Sequence, residues 1–155
     1  MLYEANEWLK YCLLIKNIIY NNMSTLFVVD DNELDRWITK INAEKLALFN
    51  NVRYFADGEP IIQYITKHKD NESKLPDGIL LDLRMPGYDG FKVLEALEAM
   101  YPQLVKKINV YIISATKFTD VVRKVQQYEF VKDFFLKPIT PQNLLSLHGT
   151  LSLTA

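Results

Sequence analysis

Polar and charged side chains stand directly after short apolar runs at four places in the chain. They are, in chain order, Asp30 and Asp31, Asp82, Ser114 and Lys137. If the runs are strands that end at a common edge, three carboxylates, a hydroxyl and an ammonium meet there. Crowded carboxylates repel one another and need a cation, and Mg²⁺ (or Mn²⁺) prefers oxygen ligands of this kind. Because an ammonium and a hydroxyl both bind phosphate oxygens, the set predicts phosphoryl transfer onto an aspartate.

The apolar runs have the length and composition of buried strands. Five strands are predicted, over Thr25–Val29, Val52–Phe55, Ile79–Leu81, Val110–Ile113 and Phe134–Leu136. Continuous apolar runs of this length are typical of parallel strands that are covered on both faces. The shorter run at Val52 suits a strand near the edge of the sheet.

Between these runs, apolar residues recur with helical spacing. Five helices are predicted, over Asn32–Phe49, Glu59–His68, Phe91–Met100, Thr119–Tyr128 and from Pro141 onward, after a capping Thr140. Strands that alternate with helices predict an α/β fold, a doubly wound five-stranded parallel sheet with helices on both faces. Ligands bind such a sheet at the carboxyl ends of its strands, where the polar residues fall. A helix cap is the alternative role for Asp31 or Asn32.

Composition restricts the class of protein. The 155 residues suit one domain, with 49% hydrophobic and 24% charged residues. The net charge of -1 offers no basic excess for direct nucleic-acid binding. A single cysteine excludes an internal disulfide framework and favours a cytoplasmic location, and with two histidines it does not form a usual zinc site.

The first 22 residues differ from the rest. Trp8–Tyr20 is strongly apolar but only 13 residues long and interrupted by Lys10 and Lys16. A membrane span needs about 20 apolar residues, and the acidic start at Glu4 and Glu7 does not suit a secretory signal. We expect no membrane association. Residues 1–22 are predicted to be an N-terminal extension, either an added amphipathic helix or an upstream-start segment, and a docking or dimerisation helix is the alternative.

Four motifs carry a family resemblance. They are VVDDN (Val28–Asn32), LLDLRMPGYDG (Leu80–Gly90), ISA (Ile113–Ala115) and FFLKP (Phe134–Pro138). With them, the chain from Met23 to about Leu151 resembles the receiver domain of two-component response regulators. The resemblance implies the flavodoxin-like receiver fold for residues 23–155, and a phosphoacceptor rather than a dedicated enzyme, with slow autodephosphorylation.

The resemblance also implies roles at the acidic site. Asp82 would be the phosphoacceptor and a metal ligand. Asp31 would bind Mg²⁺ directly, Asp30 largely through water, and Arg84 through its backbone carbonyl. Lys137 would bind the phosphoryl group. The donor would be a sensor histidine kinase or a histidine phosphotransfer protein.

Further residues are implied in the response to phosphorylation. Ser114 would be the switch hydroxyl and Phe134 the switch aromatic, although a plain core aromatic is the alternative for Phe134. Ala115 is small where the phosphoryl group enters, and Thr116, like Arg84, neighbours the phosphoryl site. The Lys137–Pro138 bond is expected to be cis. The face of the fourth helix, fifth strand and fifth helix would bind a partner, with a phosphorylation-dependent homodimer as one form.

Three other functions are weaker. A phosphatase or mutase of the haloacid-dehalogenase type needs a second acid two residues after the nucleophile, where Arg84 stands. A pseudo-receiver, which serves only for protein interaction, would usually have lost an acid, the hydroxyl or the lysine. Because only Leu151–Ala155 follow the fifth helix, we expect a stand-alone receiver, although a fragment of a larger regulator would have the same sequence.

Overall fold

The computed structural model describes residues 24–153, so the predicted extension over residues 1–22 lies outside the described residues. The strands are β1 (Thr25–Val29), β2 (Asn51–Phe55), β3 (Gly78–Asp82), β4 (Asn109–Ser114) and β5 (Val131–Leu136). They form a five-stranded parallel sheet in the order β2-β1-β3-β4-β5. The predicted position of the second strand at the edge of the sheet is confirmed.

Helices cover both faces of this sheet. They are α1 (Glu33–Leu46), α2 (Gly58–His68), α3 (Gly90–Met100), α4 (Thr119–Val125) and α5 (Pro141–Leu153), with a short 3₁₀ helix over Tyr101–Gln103. Apolar residues of α1 and α5 pack on one face, and those of α2, α3 and α4 pack on the other. The predicted doubly wound α/β fold is therefore confirmed. No helix in the described part of the chain is long and apolar enough to cross a membrane.

Side chains of β1 alternate between the two faces. Phe27 and Val29 join the core under α2, α3 and α4, whereas Leu26 and Val28 join the core under α1 and α5. A strand that is buried on both faces has no solvent side, so the four buried positions of β1 after Thr25 are all apolar. Residues of β3 and β4 are likewise all buried, which explains their unbroken apolar runs.

Two predicted helices end earlier than expected. α1 was expected to continue to Phe49, but it ends at Leu46 because Ala47 adopts a left-handed conformation (φ 50°) and its N–H donates to the Ala43 carbonyl. α4 ends at Val125 rather than Tyr128. In both cases apolar residues beyond the helix still pack against the core, and these residues imitate a longer helical pattern.

The fifth strand begins earlier than expected. It includes Val131, Lys132 and Asp133 before the apolar run that starts at Phe134. Lys132 and Asp133 are exposed, since β5 is an edge strand of the sheet. A prediction that relies on a continuous apolar run misses such polar positions.

Several helices that start at the carboxyl edge of the sheet are capped by a side chain at the N-terminus. Asn32 caps α1 by accepting from the Asp35 N–H, which settles the choice between Asp31 and Asn32. Asp57 and Asp89 cap α2 and α3. The predicted cap of α5 is also confirmed, because the Thr140 hydroxyl accepts from the Asn143 N–H at 3.2 Å.

Candidate functional site

The carboxyl ends of β1 and β3 place two aspartates side by side. Val29 pairs with Leu81 in the parallel register, so Asp30 and Asp82 are the next residues on adjacent strands. From β1 the chain crosses to β2 on one side, while β3 lies on the other side. This is the topological switch point at which open α/β sheets bind ligands.

Three carboxylates gather at this point. Oxygen atoms of Asp30, Asp31 and Asp82 all lie within 4.8 Å of one another. Asp30 and Asp82 are only 1% and 4% exposed, whereas Asp31 is open to solvent. Backbone N–H groups orient the two buried carboxylates, because Asn32 donates to Asp30 Oδ1 and Arg84 donates to Asp82 Oδ1, both at 2.9 Å.

The Lys137 ammonium joins the carboxylates. Its Nζ lies 2.6 Å from Asp82 Oδ2, 2.7 Å from Asp30 Oδ2 and 3.0 Å from Asp35 Oδ2. The peptide bond between Lys137 and Pro138 is cis, as expected from the resemblance. An ammonium has three N–H donors, so three carboxylates saturate it.

Burial and ion pairing shift the pKa values of Asp30 and Lys137 in opposite directions. Burial raises the pKa of Asp30, and the hydrogen bonds with Lys137 and the Asn32 N–H offset it only in part. Burial alone would lower the pKa of Lys137, but its hydrogen bonds with Asp30, Asp82 and Asp35 hold it above the ordinary value. Lys137 therefore remains a cation, and it compensates part of the acidic charge.

Hydroxyl groups lie at the end of β4. Asp82 pairs with Ile113, so Ser114 follows on the strand next to the acidic cluster, and it is buried. The Ser114 Oγ accepts a long hydrogen bond of 3.4 Å from the Thr116 N–H. The Thr116 hydroxyl is buried and makes no hydrogen bond within the described part of the chain. Ala115 between them is exposed.

Aromatic and cationic side chains border the site. The Arg84 guanidinium carbon lies 5.6 Å from the centre of the Phe118 ring, and the Lys117 ammonium lies 5.9 Å from that of Phe134. Phe134 is half-buried and packs against the core beneath α2, α3 and α4. Both possibilities for Phe134, a switch residue and a core residue, are compatible with this position.

The donor set fits a hard divalent cation. Three carboxylates converge, two of them oriented by backbone N–H groups, and the described residues place neither a histidine nor a cysteine among them. Oxygen-only sets of this kind suit Mg²⁺. Asp30, Asp31 and Asp82 would hold the ion, with the Arg84 carbonyl as a predicted further ligand.

Sequence reasoning missed Asp35. The residue lies in the first turn of α1, and its partner Lys137 is 102 positions away in the chain. The available signal was its place three residues after the Asn32 cap, because that places it in the helical turn at the carboxyl edge. Nothing in the sequence indicated that its side chain would reach Lys137.

A doubly wound sheet with an acid pair, a strand-end aspartate and a lysine before a cis proline defines the receiver class of signalling domain. The sequence model of the family described as response regulator receiver domain matches residues 26–148. The chain belongs to this family. Receiver domains are signalling modules of two-component systems, take a phosphoryl group from histidine kinases and generally bind Mg²⁺.

Curated relatives share about a quarter of the aligned residues. The "Probable methanogenesis regulatory protein FilR2" of Methanothrix harundinacea is 24% identical over 119 residues, 77% of this chain and 75% of FilR2. The transcriptional regulator NtrC of Escherichia coli is 27% identical over 123 residues, 79% of this chain but 23% of NtrC. The C4-dicarboxylate response regulator DctR of Priestia megaterium is 26% identical over 74% of this chain and 45% of DctR. The chain thus spans less than half the length of the last two.

Solved receiver structures have the same fold. A two-component response regulator from Cytophaga hutchinsonii superposes with a TM-score of 0.77 at 16% identity, over 86% of this chain and 99% of that one. The signal receiver domain of NarL from Mycobacterium tuberculosis gives a TM-score of 0.69 at 25% identity, with the same coverage.

Proposed function

We propose that this protein is a phosphoacceptor response regulator in which Asp82 receives a phosphoryl group in a Mg²⁺-dependent reaction. The donor is a sensor histidine kinase or a histidine phosphotransfer protein. The observation that carries the proposal is the Lys137 ammonium, which contacts Asp82 Oδ2 at 2.6 Å inside a cluster of three carboxylates. A lysine in this position compensates the charge of the carboxylate that accepts the phosphoryl group.

The reaction consists of one displacement at phosphorus. A carboxylate oxygen of Asp82 attacks the phosphorus of a phosphohistidine, the P–N bond breaks, and the imidazole leaves with the electron pair and takes up a proton. The product at Asp82 is an acyl phosphate. Asp30, Asp31 and Asp82 would hold a bound Mg²⁺, which would supply positive charge that offsets the charge of the carboxylates and of the phosphoryl oxygens.

Lys137 also binds the phosphoryl group in the phosphorylated form of the protein. Its N–H that now points to Asp82 Oδ2 is available to a phosphoryl oxygen once that carboxylate has become an acyl phosphate. The same ammonium therefore stabilises both the free carboxylate and the phosphorylated form. Water later hydrolyses the acyl phosphate, so the signal is transient and the protein is not a dedicated enzyme.

Ser114 couples the phosphoryl group to the surface. Among the described residues its hydroxyl accepts only a long hydrogen bond, from the Thr116 N–H, so it can turn to donate to a dianionic acceptor. This movement shifts the loop that leads into α4, and the half-buried Phe134 can repack beside it. We call the surface of α4, β5 and α5 the output face, and we propose that it binds a partner, which can be a second copy of the chain.

Acetyl phosphate tests the phosphoacceptor directly. The protein is incubated with acetyl phosphate and Mg²⁺, and its intact mass is measured with and without EDTA. We expect a gain of one phosphoryl group only with Mg²⁺, and none in Asp82→Asn. Asp57→Asn is a matched control, because Asp57 follows β2 at the same edge and asparagine caps a helix equally well. No mass gain in the folded wild type would indicate an interaction module without phosphorylation.

A further inference from the structure

We propose that Asp35 is a positioning residue that competes with the phosphoryl group for the Lys137 ammonium. It thereby weakens the binding of a phosphoryl group while it favours the binding of Mg²⁺. The inference rests on the proposed function, since it concerns the affinity of the same site. It adds a residue of α1 to a site that otherwise consists of strand ends and the residues that follow them.

The position of the Asp35 carboxylate is fixed by α1. Its Oδ2 lies 3.0 Å from Lys137 Nζ, and its side chain is 23% exposed, against 11% for Lys137. The Asp35 N–H is bound by the capping Asn32 side chain at 3.2 Å, which anchors this turn of the helix to the end of β1. A rigid element thus holds the backbone of Asp35, which favours a precise position of its carboxylate beside the ammonium.

Lys137 has no spare donor while all three carboxylates are bound. Its three N–H groups match Asp30, Asp35 and Asp82 at 2.6–3.0 Å. A phosphoryl oxygen must therefore displace one of these acceptors or share a donor with it. Asp82 gives up its charge when it is phosphorylated, whereas Asp35 does not.

Asp35 lies outside the group of carboxylates that gather for a cation. That group contains Asp30, Asp31 and Asp82. A bound dication therefore reduces the hold of Asp30 and Asp82 on Lys137 but leaves the Asp35 contact in place. Asp35 is consequently the carboxylate that still draws the Lys137 ammonium towards α1 in the metal-bound state, away from an incoming phosphoryl group.

The charge of Asp35 acts with opposite sign on the two ligands. One more negative charge beside the cluster attracts a dication and repels a phosphoryl dianion. Loss of a merely structural residue would weaken the binding of both ligands together. The sign of the two effects therefore separates competition for Lys137 from a general role in folding.

The test measures two affinities in Asp35→Asn. Mg²⁺ alone is titrated by calorimetry, and beryllofluoride, a phosphoryl mimic, is titrated at saturating Mg²⁺. We expect Asp35→Asn to bind Mg²⁺ about two- to fivefold more weakly and beryllofluoride about three- to tenfold more tightly, allowing for screening of a partly exposed charge. Asp35→Glu, which retains the charge, should restore both affinities towards the wild-type values.

Glu33→Gln is the matched control. Glu33 is an exposed acid in the same first turn of α1, so its removal changes the helix terminus by the same charge. It should change both affinities by less than about twofold. Equal effects in Glu33→Gln and Asp35→Asn would overturn the proposal, and so would a fall in both affinities of Asp35→Asn.

Wild-type results separate this proposal from the proposed function. A wild type that binds Mg²⁺ but takes neither beryllofluoride nor a phosphoryl group from acetyl phosphate contradicts both. A wild type that binds both ligands, with an Asp35→Asn variant of unchanged affinities, contradicts the role of Asp35 alone. Direct support would come from the ¹⁵N resonance of the Lys137 ammonium, which should shift in Asp35→Asn without any ligand.

Discussion

The Lys137 ammonium and the carboxylates of Asp30 and Asp82 depend on one another. Both acids are almost fully buried, and each places one oxygen on a backbone N–H and the other on Lys137. Removing one partner of a buried ion pair costs more than the pair contributes, because the remaining charge is left without compensation. In the metal-free protein, Lys137 is therefore a structural cation.

Lys137→Met should destabilise the metal-free protein by about 3–5 kcal/mol at neutral pH. Mg²⁺ should recover part of this loss, because the ion compensates the same carboxylates. Urea unfolding with EDTA and with Mg²⁺ measures both effects. Lys106→Met is the control: Lys106 binds Asp77 at 2.6 Å but is more exposed, so its loss should cost about 1 kcal/mol or less and show no recovery with Mg²⁺. Equal recovery in both variants would contradict the prediction.

The raised pKa of Asp30 predicts a pH dependence of stability. Burial makes the ionised carboxylate less favourable in the folded than in the unfolded state. The wild type should therefore lose stability relative to Asp30→Asn as pH rises through the unfolded pKa of about 3.9 towards the raised folded value, and the difference should be constant above it. Urea unfolding in EDTA between about pH 3.5 and 7 measures this difference. A difference that moves the other way with pH would mean that pairing with Lys137 outweighs burial.

The strand ends were predictable residue by residue, whereas Asp35 was not. A parallel strand delivers the residue after its last apolar position to a known edge, so Asp30, Asp82 and Lys137 could be brought together from the sequence alone. A helical side chain adds two unknowns, the phase of the helix and its tilt on the sheet. The contact between Asp35 and Lys137 depends on both, and it joins residues 102 positions apart.

At the scale of elements, the order of strands and helices followed from periodicity, and their ends did not. α1 ends where Ala47 turns left-handed, although no glycine marks that position. β5 extends through the exposed Lys132 and Asp133, because Val131 and Asp133 pair with Val110 and Tyr111 of β4, while Lys132 lies at a register shift between these pairs. Boundaries are decided by single backbone conformations and ladder hydrogen bonds, which a hydrophobic pattern does not record.

The start of α3 packs directly on the end of β3, at Asp82 and Leu83. A Cβ atom at Gly90 would meet the Asp82 carbonyl oxygen and the Leu83 Cα. The Gly90 N–H also donates to the Leu83 carbonyl at 3.2 Å, which ties the helix to the site. Neither contact partner is a flexible side chain, so an added methyl group must move backbone.

Gly90→Ala should lower the free energy of unfolding by about 1–3 kcal/mol and weaken Mg²⁺ binding, because the displaced backbone belongs to Asp82. Gly149→Ala is the matched control. Nothing lies within 4 Å of a Cβ at Gly149, which is in α5, so alanine there should be neutral or stabilise by up to about 1 kcal/mol. Thermal unfolding of both variants measures the change in stability, and Mg²⁺ titration measures the change in affinity. Unchanged Mg²⁺ affinity in Gly90→Ala would show that the packing of α3 does not affect metal binding.

At the scale of the whole molecule, the edge of the sheet connects the site to the output face. The Lys137 N–H donates to the Ser114 carbonyl at 2.9 Å, so the ends of β4 and β5 are joined by their backbones. The loop after Ser114 leads through Lys117 and Phe118 into α4. A pull on Ser114 therefore reaches α4 through the chain and β5 through a hydrogen bond. We propose that a phosphoryl group at Asp82 biases the packing of these elements, as a binding switch requires.

Ser114→Ala should retain the binding of beryllofluoride but lose most of the response of the output face, because Lys137 and the carboxylates remain while the moving hydroxyl is absent. Hydrogen exchange with and without beryllofluoride and Mg²⁺ measures the response. In the wild type, we expect changed protection over Thr119–Val125 and Val131–Leu136, and in Ser114→Ala much smaller changes there. Ser73→Ala, in an exposed loop after α2, should behave as the wild type. Equal changes in wild type and Ser114→Ala would show that Ser114 does not transmit the response. Changes confined to α1 and α2 would show that the response does not reach the output face.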